Sequence, residues 1–346
     1  MTIEPRPAPR RRRRGTSAQN ALTLREVAKA AGVSVASASR ALTRPDLVSE
    51  QLKGQVEHSA RALGYIPNAA AQALSGRPRR LVGVVLGGLD DRTVASMLDA
   101  MAACFAAHDI ALLVATGADS EIETAKRVRD LVGRGAGAML FGAGARPIRP
   151  PEAAAMNRLP WASLDATDVE QRIDTASGFD RARAHALAVR YLRELGHRRV
   201  ALLAPGGARH VAAVRAALGE TDVVLADLVA PVEGARGVAD RMSQLLAPPA
   251  PTTALVCGSD TIAARVLDEC ERQGVAVPQQ LSIVGFGDAE WVRHTRPTLT
   301  TVRIPAQDAG IAAAEFVLAR LEGRPAATGK LSVKLIARES SGPAPA

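Results

Sequence analysis

From residue 81 onward the chain alternates short apolar runs with helical stretches, and this alternation constrains the fold more than any other feature. The runs lie at 81–86, 110–115, 138–141, 161–164, 200–203, 223–225, 254–257 and 282–284, separated by helical stretches such as 94–108 and 182–195. A strand followed by a helix and then by a parallel strand is covered on both faces, so its residues are apolar without a break. About 260 residues with roughly ten strands predict two parallel sheets, with ligands taken at the carboxyl ends of the strands.

Charge separates a different region from this body. Of 44 Lys and Arg, 15 lie in residues 1–80 against 5 Asp and Glu, whereas residues 81–346 carry 29 against 30. The basic excess is therefore entirely N-terminal, and clustered cations are rewarded by phosphate backbones through counterion release. Residues 1–21 offer almost nothing to bury and read as a disordered basic tail. Its Arg10–Arg14 run is either a solvated tail or an additional nonspecific attraction to DNA. No run of 18 apolar residues occurs, and Arg14 is followed by polar residues rather than the apolar core of a secretory signal, so a cytoplasmic protein without membrane contact is expected. The three cysteines, Cys104, Cys257 and Cys270, lack CxxC spacing and read as free thiols in a reducing compartment.

Between tail and body, Thr23 can cap a helix whose inward residues are Leu24, Val27, Ala28 and Ala31. Ser34 then caps a second helix with Ala38 and Leu42 facing in and Val35, Ala36, Ser37, Ser39 and Arg40 facing out. A third helix begins after Ser49, with Leu52, Val56, Ala60 and Leu63 on one side. The Ala31-Gly32-Val33-Ser34 junction alone fits any helical corner, but with the charge excess it predicts a helix-turn-helix head. After Pro67, Asn68 to Ser75 could form about two helical turns, too few to persist alone in water.

At these residues the chain resembles the lactose and galactose repressor family of bacterial transcription regulators. The matching stretches are Leu22-Thr-Leu-Arg-Glu-Val-Ala-Lys-Ala-Ala-Gly-Val-Ser-Val-Ala-Ser-Ala-Ser-Arg-Ala-Leu42, then Val48-Ser49, then Leu63-Gly-Tyr-Ile-Pro-Asn-Ala-Ala-Ala-Gln-Ala-Leu74. The resemblance implies phosphate contacts from Thr23, Ser34, Ser39, Thr43 and Asn68, and base-edge contacts from Val35, Ala36 and Arg40. It further implies a minor-groove wedge at Leu74, carried on a hinge helix that includes Ala71. In the body it continues through Leu195-Gly-His-Arg-Arg-Val-Ala201, Cys257-Gly-Ser-Asp260, Leu281-Ser-Ile-Val-Gly-Phe-Gly-Asp288 and Arg296-Pro-Thr-Leu-Thr-Thr-Val302. It implies a two-lobed, periplasmic-binding-protein-like body. Arg44-Pro-Asp-Leu-Val-Ser49, Gly178-Phe-Asp180 and Gly285-Phe-Gly-Asp288 look most like the gluconate-operon repressor branch.

The organisation expected is thus a tail at 1–21, a head at 22–66, a hinge helix and linker at 67–80, an effector and dimerisation body at 81–340, and a disordered tail at 341–346. Polar residues at strand ends are effector candidates: Asp90, Asp91, Asp165, Arg209, Ser259 and Asp288, with Phe286, Trp291 and Trp161 as the aromatic candidates, Trp161 reading rather as core. Asp260 reads as a helix cap instead. Thr93-Val94 stands where many relatives carry stacking aromatics. The expected partners are double-stranded operator DNA, a sugar or sugar acid, and a second copy of the chain. No cofactor, metal site or catalytic constellation is expected, because no Walker lysine, ordered GxGxxG, HExxH or nucleophile elbow occurs. The rival readings are a transport sugar-binding protein, which would have no use for a basic head, and a doubly wound enzyme.

Overall fold

The computed structural model describes residues 22–65, 81–89, 92–118, 120–142, 159–164, 176–204, 207–219, 222–227, 238, 242–246, 252–326 and 329–345. The chain divides into two compact units, Met1–Pro78 and Arg79–Ala346.

The first unit holds α1 (Leu24–Ala30), α2 (Val35–Thr43), a 3₁₀ turn at Pro45–Leu47 and α3 (Glu50–Leu63). Its core is made of small side chains: Val27, Ala28, Ala31, Ala38, Ala41, Val56 and Ala60, ringed by Leu24, Leu42, Leu52, Leu63 and Tyr65. Alanine at the crossing points lets short helices approach closely. Gln55 fixes α3 to the turn by donating to the Ala31 carbonyl at 2.9 Å.

In the second unit, β1 (Leu81–Leu86), α4 (Arg92–Ala106), β2 (Ala111–Ala115), α5 (Glu121–Gly133), β3 (Ala138–Gly142) and β4 (Trp161–Ser163) build one lobe. Its sheet has the order β2-β1-β3-β4, and every pairing is parallel. The other lobe holds α6 (Arg181–Glu194), β5 (Arg199–Leu203), α7 (Gly207–Leu218), β6 (Val224–Asp227), β7 (Ala254–Cys257), α8 (Asp260–Gln273), β8 (Ser282–Gly287) and β9 (Thr300–Arg303). The chain then returns to the first lobe as α9 (Ala306–Leu321) and comes back as β10 (Lys334–Ile336). The second sheet has the order β10-β9-β8-β7-β5-β6, with only β10 antiparallel.

Alternate strand residues feed opposite cores. Val200, Leu202, Val256, Val284 and Phe286 face α6 and α7, while Ala201, Leu203, Leu255, Cys257 and Ile283 face α8. In the first lobe Val82, Val84, Leu86 and Leu140 pack on α4 and α9, and Val85, Met139 and Phe141 pack on α5. Both faces are covered, which is why these strands read as unbroken apolar runs. Trp161 is half-buried against Phe141, with ring centroids 6.1 Å apart.

The chain passes between lobes three times: between β4 and α6, between β9 and α9, and between α9 and β10. The first and third passages touch at Gly178, whose φ is +69° and where a Cβ would stand 1.7 Å from the Gly329 carbonyl oxygen. Only glycine supplies both the left-handed backbone and the missing volume.

The expected disordered segment at 341–346 is corrected: it is ordered through residue 345 and strapped across the second lobe. Buried Ser340 donates to the Ile283 carbonyl at 2.7 Å and accepts from the Thr300 N–H at 2.9 Å. The Ser341 hydroxyl lies 2.9 Å from that of Tyr191 and 2.8 Å from that of Thr300. The Gly342 N–H donates to Ser282 Oγ at 3.1 Å, and the Ala344 N–H to the Leu195 carbonyl at 2.9 Å. A Ser-Gly-Pro-Ala segment has little apolar surface to bury, but β8 and β9 present buried hydroxyls that require partners, and this segment supplies them.

Candidate DNA-binding face and interlobe cavity

In the head, α1 begins at Thr23, whose backbone N–H and hydroxyl both donate to the Glu26 carboxylate, at 2.6 and 3.0 Å. The backbone hydrogen bond from Thr23, more than the one from its side chain, holds the Glu26 carboxyl below its ordinary range. Ser34 caps α2 by accepting from the Ser37 N–H at 3.0 Å, and its oxygen lies 2.9 Å from the Ser37 hydroxyl. On α2 Ala38 and Ala41 turn inward, while Val35, Ala36 and Arg40 are exposed and Ser39 is half-buried. The Thr43 hydroxyl donates to the Ser39 carbonyl at 2.6 Å, so it reaches a phosphate as donor only after rotating. Asn68, Ala71 and Leu74 lie outside the described residues.

In the body, a cavity of about 500 Å³ opens between the start of α4, the start of α8, the loop after β8 and the passage from β9 into α9. Phe286, Asp288 and Trp291 line it. Phe286 is buried and stacks on His185, with ring centroids 4.3 Å apart and planes inclined by 20°. The Arg181 guanidinium lies 5.2 Å from the Phe286 centroid. Beyond Phe286, His185 Nδ1 and His210 Nε2 are 2.9 Å apart in a fully buried pair. Burial first, then the neighbouring His210 and Arg181, push the His185 pKa well below its ordinary range.

Of the expected effector residues, Asp90, Asp91 and Asp165 and the side chain of Arg209 lie outside the described residues. Ser259 and its neighbour Asp260 have roles that the sequence reading did not assign. Ser259 caps α8 by accepting from the Ile262 N–H at 3.2 Å, and it is not among the residues lining the cavity. Asp260, read as that cap, is instead buried with its carboxylate accepting from Thr301 Oγ1 at 2.6 Å and the Ala289 N–H at 2.7 Å. Gly285 and Gly287 make room for it: a Cβ at residue 285 would come within 2.4 Å of Asp260 Oδ1, and one at residue 287 within 2.8 Å of Thr93 Oγ1.

Asp288 reaches the cavity wall, but its carboxylate is taken up by arginines. Its side chain is only 3% exposed; Arg303 Nε donates to Oδ2 at 2.6 Å and Arg338 Nη2 to Oδ1 at 2.6 Å. Burial alone would raise the Asp288 pKa. The bonds from Arg338 and Arg303, with their charges, outweigh it and hold the carboxyl below its ordinary range. Its φ of +56° is a left-handed conformation that Asp tolerates better than most residues. The spacing between residues 288, 303 and 338 gave no sequence signal for this triad.

Among the described residues no group of three potential metal ligands occurs, and no helix is long and apolar enough to cross a membrane.

Comparison with known proteins agrees with this arrangement along the chain. Residues 23–68 match the model for bacterial regulatory proteins of the lacI family, and residues 189–341 match the periplasmic binding protein-like domain. The transcriptional repressor CytR of Escherichia coli K12 is 28% identical over 336 residues, covering 93% of this chain and 97% of CytR. The regulator GalR of the same strain is 29% identical over 329 residues, covering 92% and 95%. The fold resembles the crystal structure of the lac repressor dimer bound to operator and the anti-inducer ONPF. That likeness has a TM-score of 0.74 at 23% identity, over 93% of this chain and 99% of that one. A head matched at 23–68 excludes the transport reading, and relatives that are regulators over their whole length exclude the enzymatic one. With a head that matches the lacI-family model and a body that matches the periplasmic-binding-like model in a single chain, this protein is a DNA-binding transcriptional repressor with an effector-binding domain, similar along most of its length to regulators of the LacI family.

Proposed function

We propose that the protein works in the cytoplasm as a homodimer on a near-palindromic operator, and that a small sugar-like effector in the interlobe cavity controls it. The observation that carries the DNA side is the exposed Val35, Ala36 and Arg40 surface on the Ser34-capped α2. Arg40 grips a guanine edge with two hydrogen bonds, and Val35 and Ala36 meet thymine methyls or read groove shape. Thr23, Ser34, Ser39, Thr43 and Asn68 hold phosphates and fix the register.

Residues 67–80 form the hinge between the head, 22–66, and the body. The stretch from Asn68 to Leu74 is too short to be helical alone and folds when docked on its twin and the minor groove, with Leu74 as the wedge. Effector binding changes how the two first lobes face each other, and hence whether both hinges can order on DNA. Asp90, Asp91, Asp165 and Arg209 are proposed to reach the effector together with Phe286. The motifs shared with the gluconate-operon branch make a sugar acid such as gluconate the first compound to try.

Replacing Arg40 with Ala tests this reading. Affinity for a selected operator should fall by about 1–3 kcal/mol, with preference relaxed at one base position per half-site. Equal losses on operator and random DNA, measured by fluorescence anisotropy, would remove Arg40 from base readout.

A further inference from the structure

We infer that Arg303 is the anion receptor of the interlobe cavity, and that Asp288 is the positioning residue that aims it rather than an effector ligand. The ligand class is a small polyhydroxylated anion, its carboxylate or phosphate meeting the Arg303 guanidinium. This rests on the reading of the cavity as the effector site.

Arg303 ends β9 immediately before the chain crosses into α9; it lines the cavity, and its side chain is 48% exposed. Asp288 takes its Nε, and the Nη edge has no partner among the described residues. A guanidinium fixed through one edge by a buried carboxylate presents its remaining N–H groups in a set direction, as planar recognition of carboxylate or phosphate requires. Because Arg338 also binds Asp288, the carboxylate is doubly compensated and leaves the rest of Arg303's charge available to a ligand.

The other charges around the cavity support an anion over a neutral sugar. Arg92 and Arg293 line the same space. Of the four acids there, Asp260 is satisfied by Thr301 and Ala289 and Asp288 by two arginines, which leaves Glu290 and Asp308, both exposed. The Asp288 side chain is only 3% exposed and holds an arginine on each oxygen, so it offers sugar hydroxyls almost no surface. A ligand anion on Arg303 leaves both pairs in place.

The test is a thermal-shift and calorimetric panel on the full chain at millimolar ligand: gluconate, glucose, glucose 6-phosphate and inorganic phosphate. Gluconate or glucose 6-phosphate should bind at least about tenfold more tightly than glucose, and whichever of the two binds identifies the source of the anion. Arg303→Gln should lower the affinity for the acid by about tenfold or more, as expected for loss of a charge-assisted contact. Arg303→Lys should restore part of it. Asp288→Asn should reduce the ratio of acid to neutral-sugar affinity several-fold, a readout that a purely structural defect would not move.

Equal binding of glucose and gluconate, an unchanged preference in Arg303→Gln, or no response to either organic anion would each overturn the inference. So would inorganic phosphate binding as tightly as the organic anions, because the polyol would then contribute nothing. Anion binding through Arg303 that leaves operator affinity unchanged would uphold the receptor and overturn the effector switch instead.

Discussion

The head and the second lobe of the body are stabilised in opposite ways. The head is held by contacts close in sequence: Thr23 with Glu26, Ser34 with Ser37, Ser49 with Leu52, and a core of alanines and valines contributed by three helices within about forty residues. The second lobe relies on pairs separated by tens of residues or more, among them His197 with Ser282, Asp288 with Arg338, Thr298 with Glu339 and Tyr191 with Ser341. A unit built from local contacts can work as a small reading head with little more than its caps and turn intact. A unit closed by its own last residues tolerates no loss there.

The largest test of that difference is truncation. Ending the chain before Ser340 removes the strap and leaves buried Ser282 and Thr300 short of partners. At about 1 kcal/mol for each net hydrogen bond, and more for a stranded buried group, the body should lose roughly 3–5 kcal/mol. Calorimetry should show the body transition moving down while the head transition stays in place. A body transition that did not move would mean that the strap adds nothing to stability.

Two glycines sharpen the comparison. Gly32 in the head and Gly178 in the body have nearly the same φ, +64° and +69°, but nothing lies within 4 Å of a Cβ at residue 32, whereas the Gly329 carbonyl oxygen blocks one at residue 178. Gly32→Ala should cost only the backbone strain, about 1 kcal/mol, and Gly178→Ala about 2–4 kcal/mol, because the passage between the lobes has to shift as well. Chemical denaturation of both variants gives the ratio, and equal losses would refute the crowding argument.

Legibility follows the same division. Helix faces and the apolar runs of covered strands are set by spacings of two to four residues, so α1 to α3 and the strand runs of the body could be read directly. The cavity could be read only in part. Phe286 and Asp288 lie at a strand end where the alternation places ligands, but whether a strand-end carboxylate meets solvent, a cap or an arginine depends on partners far along the chain. Asp288 is compensated from residues 303 and 338, and Asp260 from 289 and 301, at separations no local pattern encodes. The strap at 340–345 escaped notice for a related reason: its value lies in hydrogen bonds to buried hydroxyls, and hydropathy does not register them.

The buried imidazoles add a pH dependence to the body. In the folded chain burial, His210 and Arg181 push the His185 pKa well down, and burial, partly opposed by a bond to the Gly342 carbonyl, lowers that of His197. In the unfolded chain both take a proton near pH 6.5. Their depressed folded pKa values mean that stability is complete above about pH 6.5 and falls as the pH drops below it, by about 1.4 kcal/mol per pH unit for each proton that only the unfolded chain takes up. The body transition should follow this slope, and His185→Asn should make it shallower. A melting temperature independent of pH down to about pH 5 would mean that His185 and His197 take up protons in the fold as readily as in the unfolded chain.

The smallest effect separates two roles of one side chain in the head. Ser34 supplies the acceptor that satisfies the Ser37 N–H at the start of α2, and it is also proposed to meet a phosphate. Ser34→Ala removes both, and the cap alone accounts for about 1 kcal/mol of head stability. Ser34→Asp keeps an acceptor of equal capping quality and places a negative charge at the favourable end of the helix, so head stability should return to that of the parent or slightly above it. The same carboxylate repels DNA phosphate, so operator binding should weaken further in Ser34→Asp than in Ser34→Ala. Stability and DNA affinity would then move in opposite directions across the two variants. If both measurements fell together and by the same amount, Ser34 would be a cap whose only effect on DNA binding is to keep α2 folded.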